Sequence, residues 1–174
     1  MLRYSLRTLF VGLIVVAALL AVWCNSARQQ QQAVQAIKTR GGVVMYDYQW
    51  SANRDYTCGT GYLPSGKPKA PQRLVDWLGI DMFATVIWVW LPRETTDRDL
   101  QPLTELPALE FVCLNESQVS DEGLRCLQGA SSLQHVVAFD TRITAEGAAQ
   151  LERLCPGCTV YYGSFDELLS AMGD

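Results

Sequence analysis

From Leu9 to Trp23 every position is apolar, LFVGLIVVAALLAVW, a run of fifteen residues with no polar face. Arg3 and Arg7 precede it. Counting Thr8 to Cys24 gives 17 residues, about 25 Å as a helix against a hydrocarbon core of about 30 Å. Such a helix is short but can span, with Arg7 snorkelling to one surface. A cleaved signal needs a small-residue site, and Cys24-Asn25-Ser26-Ala27 offers only a weak one. A lipoprotein signal wants a small residue before the cysteine, where Trp23 stands. Residues 1–26 therefore read as an uncleaved signal anchor crossing the membrane through residues 8–24, with a cleaved signal as the alternative. A buried soluble helix fits least, because it would show a polar stripe. Arg3 and Arg7 against Arg28, Lys38 and Arg40 slightly favour a single-pass topology with the bulk of the chain outside the cytoplasm.

The pattern then changes. Residues 27–42 read as a juxtamembrane helix, ARQQQQAVQAIKTR, with a narrow stripe of Ala33, Ala36 and Ile37, a solvated glutamine face or spacer, and a stop at Gly41-Gly42. Residues 43–84 read as an N-terminal capping region: a strand over 43–50, a Gly- and Pro-rich loop over 51–70, and a short helix opened by Pro71 and carrying Leu74, Trp77 and Leu78. A second strand, TVIWVWL, covers Thr85 to Leu91.

Residues 85–174 are dominated by repetition with a step of 24. Leu100, Leu124 and Ala148 keep that step, as do Leu103, Leu127 and Leu151; Thr95, Val119 and Ile143; and Thr96, Ser120 and Thr144. The same step aligns Trp88, Val112, Val136 and Val160, and also Trp90, Leu114, Ala138 and Tyr162. Each unit reads as strand, turn, then a helix whose hydroxyl residue (Thr96, Ser120, Thr144) caps the free N–H groups, with acidic residues in the first turn. Strand–helix–strand crossovers place successive strands in parallel, and units this short predict a stacked solenoid.

These residues resemble a known family. Leu109-x-x-Val112-x-Leu114-x-x-Ser117-x-Val119-Ser120-Asp121-x-Gly123-Leu124 is similar to the leucine-rich repeat, as is Leu133-x-x-Val136-x-Ala138-x-x-Thr141-x-Ile143-Thr144-Ala145-x-Gly147-Ala148. The likeness covers about residues 85–162, and the first unit keeps only the helix start, Thr96-Asp97-Arg98-Asp99-Leu100. The whole plan resembles short, membrane-anchored bacterial leucine-rich repeat proteins. That resemblance implies an α/β fold, a leucine-rich repeat solenoid of parallel strands with convex helices behind an N-terminal transmembrane helix. It implies a binding scaffold without catalytic residues.

In that register Leu109, Val112, Leu114, Leu133, Val136, Ala138, Trp88 and Trp90 point into the core. Ile87, Val89, Phe111, Cys113, His135, Val137 and Tyr161 line the concave sheet face. That face is unusually apolar, and an exposed apolar patch marks an interaction site. The competing readings are cover by the N-terminal segment or the 51–70 loop, and self-association. Ser164-x-x-Glu167 reads as a capping box opening a final helix.

Charge narrows the partners. Residues 1–80 hold 9 Lys+Arg and 3 Asp+Glu, or +6; residues 81–174 hold 5 and 15, or −10, summing to −4. The acidic C-terminal half disfavours nucleic acid. Cys155-Pro156-Gly157-Cys158 is a CxxC pair, but it follows a helix C-terminus, where the dipole raises a thiol pKa. His135 is the only histidine and no second CxxC occurs, so no metal or cofactor is expected. Asn115-Glu116-Ser117 fits the glycosylation pattern at a repeat turn. The expectation is a membrane-anchored, non-enzymatic protein-interaction module, with an unknown protein partner. A thiol-redox protein using the CPGC pair and a self-assembling structural protein are the alternatives.

Overall fold

The computed structural model describes residues 6–49 and 66–164. The apolar run and the glutamine-rich segment form one unbroken helix, α1 (Leu6–Thr39). No Gly or Pro occurs from Leu13 to Arg40, so nothing interrupts the hydrogen-bond ladder. The helix ends where Gly41 takes φ +82° and the Gly42 N–H donates to the Ile37 carbonyl at 3.0 Å.

Besides α1 and three single-turn 3-10 segments, the described residues form β1 (Val43–Tyr46), α2 (Gln72–Leu78), β2 (Val86–Trp90), a longer 3-10 segment (Asp97–Glu105), β3 (Phe111–Cys113), α3 (Asp121–Cys126), β4 (His135–Phe139), α4 (Ala145–Leu154) and β5 (Thr159–Gly163). The strands form one sheet in sequence order, with β2 to β5 parallel and β1 antiparallel to β2. β1 differs because no strand–helix crossover delivers it to the sheet. The sheet is open, with β1 and β5 at its edges, and is not curled, so the expected concave surface is simply the sheet's outer face. The capping box Ser164-x-x-Glu167 and most of the 51–70 loop lie outside the described residues.

The repeated columns are the core. Leu100, Leu124 and Ala148, then Leu103, Leu127 and Leu151, are all buried against Val89, Val112, Val136 and Val160 of the strands. The first unit coils as a 3-10 segment rather than an α-helix, and Pro102, which has no N–H to give, lies inside it.

One polar device joins the units. The Ser120 N–H and hydroxyl both donate to the Asp97 carboxylate, each at 2.7 Å. One unit later the Thr144 N–H and hydroxyl donate to Asp121 at 2.8 and 2.7 Å. Each carboxylate thus reaches forward to the next helix start, where a β-carbon on Gly123 or Gly147 would overlap it. The first unit has no predecessor. There Asp99 stands where Gly123 and Gly147 stand later, and its own carboxylate takes the Thr96 N–H and hydroxyl, both at 2.8 Å. Arg40, at the end of α1, pairs with Asp99. Burial alone would raise the Asp99 pKa; the Thr96 hydrogen bonds and Arg40 outweigh it and hold the carboxyl below the usual range.

The second half of α1 closes the N-terminal end of the core. Ala27, Gln30, Ala33, Val34 and Ile37 are buried at helical spacing. The glutamine run is therefore not wholly solvated. The Gln30 amide donates to Asp81 at 2.9 Å and to the Ala84 carbonyl at 2.8 Å, and accepts from the Val86 N–H at 3.2 Å. It thereby satisfies the chain entering β2.

Candidate interaction face and the cysteine pair

In each parallel strand alternate residues face opposite ways. Val89, Val112, Val136 and Val160 pair in register and fill the main core. Their neighbours form the outer face in two rows. Trp88, Phe111 and His135 align in one, and Trp90, Cys113, Val137 and Tyr161 in the other.

This register corrects the sequence reading at β2. Val89, expected on the surface, is fully buried in the core, and Trp88 and Trp90, expected in the core, stand on the outer face with Phe111 and Cys113. Ile87 is the extra residue where β1 pairing slips, since Met45 faces Trp88 and Tyr46 faces Val86. The cause is one missing residue. Seven positions separate Val89 from Thr96, whereas eight separate Val112 from Ser120 and Val136 from Thr144. Alignment on the helix starts therefore shifts β2 by one and exchanges its faces. The other five expected face residues, Phe111, Cys113, His135, Val137 and Tyr161, do share one side of the sheet. Phe139 joins them and was missed, as were both tryptophans. Aligning the buried Leu91 with Leu114 instead would have found the tryptophans.

Aromatic rings run across the strands. Trp88 stacks on Phe111 with centroids 5.8 Å apart, Phe111 meets His135 at 6.3 Å, and His135 stacks on Tyr161 at 6.0 Å. Phe111, Cys113 and Val137 are buried, with Trp88, Trp90 and Phe139 packed around them as a second small core. Open apolar surface lies toward β5, where Tyr161 is 42% exposed. Burial pushes the His135 pKa down, against a smaller opposing pull from Glu110.

The cysteine pair follows α4, with Cys155 at the helix C-cap and Cys158 one residue before β5. Both are free and buried. Burial raises the Cys155 thiol and pushes Cys158 up to about 12, with Cys155 and Glu152 adding to the latter. The Cys155 thiol donates to the Gln128 carbonyl at 3.4 Å. Protonated, buried thiols are poor nucleophiles. Among the described residues no three His, Cys, Asp or Glu side chains gather as metal ligands. The Asn115 side chain accepts from the Phe139 N–H at 2.9 Å and Ser117 is buried, so that tripeptide is engaged in the turn after β3.

No protein-family model matches the chain, and no curated protein sequence matches it.

Proposed function

We propose that this is a single-pass membrane protein whose α/β domain is a short leucine-rich-repeat-like unit acting as a non-enzymatic protein-binding module outside the cytoplasm. The observation that carries the reading is the outer sheet face, where the ring row through Trp88, the buried Phe111 and His135 ends at the exposed Tyr161 beside the β5 edge. Aromatic residues are enriched at protein interfaces because they bury much area with few rotors to freeze. The repeat reading draws support from the burial of each 24-step column and the carboxylate-to-cap bonds that recur with it. The membrane reading draws support from α1, which is long and apolar enough to cross a bilayer and leaves Phe10 to Trp23 largely bare. The thiol-redox alternative loses support, because both thiols are buried and held protonated.

The test places a photocrosslinking residue at Tyr161 in the membrane-embedded full chain, with the exposed Arg153 position as reference. A discrete protein adduct at 161, absent at 153 and lost when Trp90→Ala is added, is expected. Equal labelling at the two positions overturns the reading, and an adduct of twice the chain mass replaces it with self-association.

A further inference from the structure

α1 runs without a break from its apolar segment into the domain, so the domain is held at a fixed level beside the end of that segment. Two contacts set the level. The Trp23 ring meets Phe83 edge-on with centroids 6.3 Å apart. A cleft is shared by Cys24, Ala27, Arg28 and Gln31 of α1 with Leu78, Gly79 and Met82. The end of α2 therefore sits beside the first turn of α1 past the apolar run.

α2 is anomalous for a domain helix: none of its seven residues is buried. Trp77 is 80% exposed, with Leu74 and Leu78 beside it at helical spacing, each 41% exposed. A single short helix is not stable in water without a surface to cover its apolar face. Around that face the charge is positive: over residues 66–79, Lys67, Lys69 and Arg73 against Asp76 give +2. Asp76 is engaged by the Gln72 amide at 2.8 Å, and Asp81, the next acidic residue, by Gln30 and Tyr46.

We propose that α2 lies in the membrane interface, with Leu74, Trp77 and Leu78 inserted at headgroup level and Lys67, Lys69 and Arg73 facing anionic lipid. Tryptophan prefers that depth, and an amphipathic helix with a basic border binds it by apolar burial plus attraction to acidic headgroups. The proposal rests on the membrane-spanning reading of α1. It gives the domain a second foothold, which fixes its rotation about α1 as well as its height.

The test uses the full chain in phosphatidylcholine vesicles, with and without phosphatidylglycerol, carrying a benzophenone residue at Val16, Trp77 or Arg153. Lipid adducts are expected at 16 and 77 and not at 153, with the yield at 77 rising about threefold or more when the acidic lipid is added. No lipid adduct at 16 refutes the spanning reading itself. Adducts at 16 without any at 77 refute the interfacial helix alone. A chain-to-chain adduct at 77 in place of lipid assigns the patch to self-association and overturns the proposal.

Discussion

Gly147 is the third residue of α4, inside a helix, where replacing Gly by Ala ordinarily stabilises by about 1 kcal/mol. Here the opposite is expected. A β-carbon at 147 would overlap the Asp121 carboxylate and would sit 2.8 Å from the Asp121 Cβ. Relief requires the carboxylate to swing away from the Thr144 N–H and hydroxyl, which it now accepts at 2.8 and 2.7 Å. Hydrogen bonds to a charged acceptor contribute about 1.5–3 kcal/mol each, and these two are solvent-exposed and so fall at the low end. Overpacking of about 1–3 kcal/mol and partial loss of those bonds, set against the helix gain, leave Gly147→Ala destabilised by about 2 kcal/mol. At about 2–4 °C per kcal/mol, Tm falls by roughly 4–8 °C. In an Asp121→Ala background only the Cβ contact remains, and the same substitution changes Tm little, a coupling of about 2 kcal/mol. Gly129→Ala, which meets nothing within 4 Å, is the control and leaves Tm level or slightly raised. The assay is thermal unfolding by circular dichroism of the detergent-solubilised full chain. A rise in Tm for Gly147→Ala alone, or the same fall in both backgrounds, would refute the carboxylate as the cause.

Two further outcomes follow from the polar contacts. Gln30→Ala strands the Val86 N–H and the Ala84 carbonyl in the core and is expected to cost about 2–4 kcal/mol; faster amide hydrogen exchange along β2 locates the loss, and unchanged exchange there contradicts the role given to Gln30. Stability should fall in two stages as pH drops. His135 has a folded pKa below its unfolded value, so the unfolded chain takes that proton first and stability declines as pH passes below about 6.5. Asp99 also has a depressed folded pKa, so its contribution is present above the unfolded value and is lost from about pH 4 downward. His135→Asn should abolish the first stage and Asp99→Asn should shrink the second in acid titrations of Tm; a stage left unchanged in its variant refutes that assignment.

Much of the architecture was legible because burial follows period. The 24-step leucine columns located the core, and the hydroxyl residues located helix starts at Thr96, Ser120 and Thr144. Local periodicity could not register β2, because one residue lost between Val89 and Thr96 reverses both faces while leaving every apolar position apolar. The role of Gln30 was hidden for a different reason. Four glutamines in a row look alike, and only the packing of α1 on the β2 entry singles one out. The open sheet likewise depends on how neighbouring units tilt, which side-chain spacing does not encode.

The forward-reaching carboxylates also distinguish the two ends of the domain from its middle. The first unit carries the bridging carboxylate, Asp97, but fills the receiving position with Asp99; the last carries the receiving Gly147 but has Ala145 where a bridging carboxylate would stand. The joint is thus incomplete at each end through a single residue, while residues 121–144 carry both halves of it. Duplicating that segment in tandem should add one parallel strand to the sheet without disturbing either terminus, whereas a like segment appended after β5 should find Ala145, not a carboxylate, facing its helix-start hydroxyl.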